Sequence, residues 1–305
     1  MQPPQTLQFL EPPSAWRRRE TAAYQILPVP FEATVSYGGG TAGGPRAILE
    51  ASTQVELFDG FDEPARAGIF THPLPAAMTD DPEVMIGQVA RQVKEIVAAP
   101  AVPVLLGGEH TISVGAFRGL AESAALPFGV VQFDAHADLR DTYQDTPYSH
   151  ACVMRRALDL KLPIAQFGVR SLCREEAELR QAEGIFFRDA ADLQAPIPDQ
   201  PILPHDFPRN IYITFDVDGL DPAVVPATGT PEPGGLSWYT ALRLLEQVVR
   251  GRRVLGFDMV ELAPLPGQPA SDFIVAKLVY AIIGLIQRHA NPTLAWGDST
   301  ATGKG

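Results

Sequence analysis

Near-continuous apolar runs at residues 26–29, 102–106, 128–133, 164–169, 211–215 and 254–259 predict strands, several of them buried on both faces. Between them, apolar positions recur at helical spacing over residues 83–98, 112–125, 237–250 and 272–288. Alternation of the two patterns predicts an α/β fold in three layers, with a mostly parallel central sheet and helices on both faces. The proline-dense stretch at 193–208 runs directly into a strand pattern and reads as a surface loop. No Gly/Ser-rich or strongly charged linker interrupts the chain, so residues 1–305 are expected to form a single domain.

Polar residues cluster where three predicted strands end, at 107–111, 134–138 and 216–221. The carboxyl edge of an open α/β sheet is where ligands bind, so these segments are expected to converge. Positions two apart in extended backbone point the same way, which lets Asp134, His136 and Asp138 face one cavity. Asp216 and Asp218 repeat the spacing, and Ala135, Ala137 and Val217 are free to pack behind. Taken singly, each motif has a plainer reading: a capped turn for Asp134 to Asp138, a helix cap for Asp216 and Asp218, a core or capping role for His110. Together they place carboxylates at a density that requires compensating cations. Oxygen and imidazole ligands without thiolate suit manganese first, and also iron, cobalt or nickel, better than structural zinc.

The formal charge of −12 excludes a basic nucleic-acid footprint and favours cationic small molecules. Cys152 and Cys173 form neither a metal pair nor a disulfide framework, and no signal peptide precedes the chain, so a cytoplasmic location is expected. The apolar run at 273–286 contains Lys277 and is short for a membrane span, so it reads as a buried helix with no membrane partner.

The segments Gly107-Gly108-Glu109-His110-Thr111, Phe133-Asp134-Ala135-His136-Ala137-Asp138, Ser149-His150, and Phe215-Asp216-Val217-Asp218-Gly219-Leu220-Asp221-Pro222 occur in order. Further along come Gly229-Thr230-Pro231-Glu232-Pro233-Gly234-Gly235 and Asp258-Met259-Val260-Glu261, and the stretch from Tyr37 to Ile48 precedes them all. This ordered set resembles the ureohydrolase family, which includes arginase and agmatinase, over roughly residues 25–300. The resemblance implies an arginase-like fold and two manganese ions per subunit. One ion would be held by His110, Asp134, Asp138 and Asp216, its neighbour by His136, Asp134, Asp216 and Asp218, with Asp134 and Asp216 bridging. It also implies hydrolysis of a guanidinium group to urea and a primary amine. Asp138 would orient the attacking water, His150 would shuttle protons from a loop, and Glu261 would pair with the guanidinium. A homo-oligomer, trimeric or hexameric, is implied as well.

Residues 139–150 depart from the arginase pattern and look more like bacterial agmatinases. The expected reaction is therefore agmatine to putrescine and urea, a step of polyamine biosynthesis. Guanidinobutyrate, for which Arg140 or Arg46 would supply a carboxylate partner, remains an alternative, as do longer guanidino-polyamines. Arginase activity, other metal-dependent amide or phosphoester hydrolysis, and a binding protein without catalysis stand further off. Thr230 is expected to shape the cavity loop or to approach substrate, and Asp221 to brace the metal loop. Ala151 and Met259 depart from the family pattern without removing a ligand. His72, His205, His289 and both cysteines are expected to lie away from the reaction centre.

Overall fold

The computed structural model describes residues 7–123, 127–195, 197 and 199–289. Its strands are β1 (Tyr24–Val29), β2 (Ile69–Thr71), β3 (Val102–Gly107), β4 (Gly129–Phe133), β5 (Ile164–Phe167), β6 (Phe186–Arg188), β7 (Asn210–Asp216) and β8 (Arg253–Val260). Its helices are α1 (Gly44–Ser52), α2 (Pro82–Ala98), α3 (Ile112–Ser123), α4 (Val153–Asp159), α5 (Arg174–Ala182), α6 (Trp238–Val249) and α7 (Ala270–His289). The strands form one sheet in the order β2-β1-β3-β8-β7-β4-β5-β6, and every neighbouring pair is parallel. The three-layer arginase-like α/β architecture is thus present, with a fully parallel sheet.

Strand residues alternate between two cores because successive side chains leave opposite faces of a pleated strand. Ile26, Val104, Leu106, Val131, Ile213, Phe215 and Met259 pack with α1, α6 and α7. Leu27, Leu105, Val130, Tyr212 and Leu255 pack with α2, α3 and α4. Each large apolar side chain so buried contributes roughly 1.5–3 kcal/mol. Helix α7 is long and apolar enough to cross a membrane, yet it is a core helix packed on α1 and α6. Helix starts follow the sequence: Asp81 accepts from Glu83 N at 2.9 Å before Pro82 opens α2, and Ser237 accepts from Thr240 N at 3.2 Å to cap α6.

The order of strands positions the site. From β3 the chain crosses through α3 to β4, leaving two places between them that β8 and β7 later fill. The carboxyl ends of β3, β8, β7 and β4 are consequently four neighbours in the middle of the sheet. Pro103 is accommodated inside β3 because it precedes the first β3–β8 pair, Val104↔Phe257, and faces Gly256, where an added Cβ would lie 2.9 Å from the proline ring.

Five elements escape the hydrophobic pattern. β2 and β6 are three-residue edge strands, too short for a periodic signal. α4 spans seven residues. α5 reads REEAELRQA and offers almost no apolar stripe, while α1 begins with Gly-Pro at the end of a glycine-rich loop. The strand expected at 164–169 stops at Phe167, because Gly168 turns the backbone with φ 93°. Residues 124–125 of the helix predicted over 112–125 lie outside the described residues.

Candidate metal centre and active-site cavity

Each strand end delivers its polar residues as the backbone leaves the ladder. Gly108 lets β3 turn inward: an added Cβ there would sit 2.0 Å from Phe31 O, so no larger residue fits. The turn delivers His110, whose Nδ1 lies 3.0 Å from Asp138 Oδ2, 3.2 Å from Asp134 Oδ2 and 3.4 Å from Asp216 Oδ2. Beside it, His136 Nδ1 lies 3.0 Å from Asp218 Oδ2 and 3.5 Å from Asp134 Oδ1. Two groups of ligand atoms result, each within 4.8 Å: His110, Asp134 and Asp216, and Asp134, His136 and Asp218. Asp134 belongs to both. The structure therefore brings together all six residues expected to ligate metal.

Three of these carboxylates are held by neighbouring N–H groups. Asp134 Oδ1 accepts from His136 N at 2.6 Å and its Oδ2 from Gln132 Nε2 at 2.7 Å. Asp218 Oδ1 accepts from Ala135 N at 3.0 Å, and Asp216 Oδ1 from Asp218 N at 2.9 Å. His110 Nδ1 is buried and makes no directed hydrogen bond among the described residues, although three carboxylate oxygens surround it. A nitrogen lone pair aimed into a ring of anionic oxygens fits a divalent cation.

The electrostatics agree. Burial disfavours the charged forms of His110 and His136, yet the carboxylates overcome it. Asp134, Asp138 and Asp216 raise His110 well above its usual value, while Asp134 and Asp218 push His136 up to about 12. Burial raises Asp138 to about 7, helped by the Asp134 charge. Burial also raises Asp216, with Asp218 and Asp134 adding to it. Asp134 is lowered: burial opposes its ionisation, but the two imidazoles outweigh it. With protein groups alone, protons must occupy the space between these side chains, and cations serve the same balance better.

A cavity of about 340 Å³ opens from this cluster, lined by His136, Asp138, Arg140, His150, Glu176 and Thr230 among others. Asp138 and Glu261 both hold left-handed backbone, with φ of 52° and 65°. Such strain costs about 1–3 kcal/mol per residue and persists where surrounding structure over-determines it. Glu261 is buried; its Oε1 accepts from His110 N at 2.6 Å, and its pKa is raised well above normal by burial and then by Glu109. His150 is half-buried in the wall of the same cavity. Burial and the facing His110 lower its pKa to about 4. Thr34 Oγ1 accepts from His150 N at 3.2 Å and donates to Glu109 Oε1 at 2.7 Å, so the loop before α1 fixes the histidine.

Several supporting residues lie outside the sequence motifs. Arg170 Nη2 donates to Asp218 O at 2.6 Å, Leu220 O at 3.3 Å and Glu232 O at 2.7 Å, joining the β7 loop to the glycine-proline loop. Glu176 accepts from Leu139 N at 3.0 Å and Cys173 N at 2.8 Å, anchoring the residue after Asp138. Cys173 itself lines the cavity, contrary to the expectation that both cysteines lie away from the centre. The only sequence signal for this region was a strand pattern at 164–169 followed by polar residues. Asp221 braces the loop as expected, accepting from Gly234 N at 2.9 Å and Gly235 N at 3.0 Å. Thr230 Oγ1 lies 3.4 Å from Asp218 Oδ2 and also lines the cavity. Arg140 lines the cavity too, with its guanidinium over the Tyr143 ring at 5.3 Å, whereas Arg46 pairs with Glu50 on an exposed face.

A model of the arginase family matches residues 22–284. The chain belongs to the arginase family. It is 37% identical over 302 residues to an N(1)-aminopropylagmatine ureohydrolase of Synechocystis, covering 96% of this chain and 94% of that one. It is 35% identical over 273 residues to an agmatinase of Pyrococcus horikoshii, covering 88% and 93%. The solved agmatine ureohydrolase of Thermoplasma volcanium superposes with a TM-score of 0.81 at 34% identity, covering 89% of this chain and 92% of that one. Family membership and the paired His/Asp clusters identify an agmatinase-like ureohydrolase acting on an amidine C–N bond.

Proposed function

We propose that this ureohydrolase releases urea from a linear guanidino-polyamine, N(1)-aminopropylagmatine, leaving spermidine. Agmatine, the substrate expected from residues 139–150, is the nearest competitor. The observation that carries the reading is the alignment, along almost the whole chain, with relatives that bear the aminopropylagmatine name. The cavity supports it: acidic at Asp138 and again at buried Glu176, it suits a substrate cationic at both ends.

The ions are proposed to be manganese, two per subunit, held by His110, Asp134, Asp138 and Asp216 on one side and by His136, Asp134, Asp216 and Asp218 on the other. Bound there, paired divalent cations supply Lewis acidity and lower the pKa of water. The chain's own groups do the rest. Glu261 pairs with the planar guanidinium through charge-assisted bonds and holds its carbon toward the cluster. Asp138 accepts the proton of the attacking water and delivers it to the departing amine. His150, in the cavity wall, relays protons between the cavity and solvent. We further propose a homo-oligomer, trimeric or hexameric, as the working assembly.

Arg140 favours a second reading, in which a guanidino acid such as 4-guanidinobutyrate places its carboxylate on that cation. A panel of N(1)-aminopropylagmatine, agmatine, 4-guanidinobutyrate and arginine, assayed for urea with manganese-loaded protein, separates them. The highest kcat/KM is expected for aminopropylagmatine. A higher value for guanidinobutyrate would replace the proposal with the second reading.

A further inference from the structure

His110 meets the carboxylate cluster through Nδ1, so its other ring nitrogen decides whether Nδ1 carries a proton or a lone pair. Nε2 is buried 2.8 Å from Thr214 Oγ1. Thr214 Oγ1 lies in turn 2.7 Å from Asp258 Oδ1. A hydroxyl has one proton to give, and an ionised carboxylate only accepts. The Thr214 proton is therefore directed to Asp258, and the Thr214 oxygen is left to accept from Nε2–H. Asp258 is fully buried, and Ser113 Oγ at 2.6 Å and Tyr212 OH at 2.8 Å also donate to it. Three hydroxyls converging on one carboxyl group are arranged for an anion, which sets the direction of the whole chain of bonds.

We propose that Asp258, acting through Thr214, is a positioning residue that fixes His110 as its Nε2–H tautomer and keeps the Nδ1 lone pair available to one ion of the pair. The inference rests on the two-ion reading given above. It assigns Asp258 a task distinct from that of Glu261 three residues later: Glu261 holds the backbone of His110, and Asp258 orients its ring. It also distinguishes the ions, because no described hydrogen bond links Asp258 or Thr214 to His136.

Substitution can reverse the direction of the bonds. In Asp258→Asn the amide is able to donate to Thr214, whose proton then turns toward Nε2 and leaves Nδ1 protonated. Thr214→Val removes the link while preserving shape, and Thr214→Ser keeps it. Tyr212→Phe deletes an equal bond to Asp258 without touching His110. The test is titration with Mn2+ alone, followed by calorimetry and by the electron paramagnetic resonance of free Mn2+, with circular dichroism on each variant. Asp258→Asn and Thr214→Val are each expected to weaken one ion by about 10–100-fold, the usual effect of losing such a partner, and to leave the other unchanged. Thr214→Ser and Tyr212→Phe are expected to bind both ions as the parent does. If Asp258→Asn fails to fold, Thr214→Val carries the test. Parental affinity for both ions in Thr214→Val overturns the proposal, as does equal weakening in Tyr212→Phe. A parent protein that takes up no ions would defeat the metal reading itself, an outcome separable from those two.

Discussion

Glu261 combines burial, left-handed backbone and a 2.6 Å bond from the amide of His110. Because a glutamine oxygen can still accept that bond, Glu261→Gln tests charge rather than packing. The variant is expected to retain two ions while urea release falls by about 10²-fold, the scale on which a single charge-stabilising group acts. An unchanged rate with intact metal content would remove Glu261 from guanidinium binding. The candidate ligands Asp134, His136, Asp138, Asp216 and Asp218 were legible because alternation over two or four positions is local, and His110 because it follows a predicted strand end, where such side chains gather. The supporting contacts of Arg170, Thr214 and Glu109 were not. Their partners lie far away in sequence, as with Arg170 and Glu232 or Glu109 and Thr34, and nothing local marks a residue that ties two loops together. The shift of His150 was equally invisible, since it arises from burial and from a histidine forty positions earlier.

At the scale of elements, the strands and long helices followed from apolar runs, whereas α5 did not, because its buried residues include Glu176 and Arg180 rather than an apolar stripe. The glycine-proline loop was recognised as a turn, but its attachment was not. Gly38 N donates to Gly229 O at 3.2 Å, so this loop meets the glycine-rich loop before α1 backbone to backbone. Asp221 supplies the other anchor. Its bonds from Ala223 N, then from Gly235 N and Gly234 N, hold its pKa below the usual 3.8. A carboxyl lowered on folding contributes stability that is present above the unfolded value and is lost as pH falls through the folded one. Parent protein is therefore expected to lose stability below about pH 4 more steeply than Asp221→Asn, which lacks the titrating group. Urea unfolding at pH 3, 4 and 6 checks this, and parallel acid limbs in the two proteins would refute it.

For the whole molecule, the cluster is a concentration of buried like charge that cations relieve. An ion that binds only the folded state stabilises it by about 2.7 kcal/mol at one hundred times its Kd. Addition of manganese to chelator-treated protein is expected to raise Tm by several degrees, about 2–4 °C per kcal/mol for chains approaching this size. Scanning calorimetry with and without chelator measures the difference, and identical Tm values would mean that these carboxylates do not share bound cations. The surplus of negative charge, −12 overall, also raises the local concentration of a polycationic substrate, so kcat/KM should fall with salt.

The interleaved strand order has a consequence for biogenesis. β7 and β8 leave synthesis after every other strand yet occupy the middle of the sheet, between β3 and β4, which are made in its first half. A nascent chain thus cannot complete either ion-binding group until residues beyond 216 have emerged and inserted. A product terminated ahead of β7 therefore lacks both candidate ion-binding groups and is left with unpaired edges on β3 and β4 rather than a weakened site.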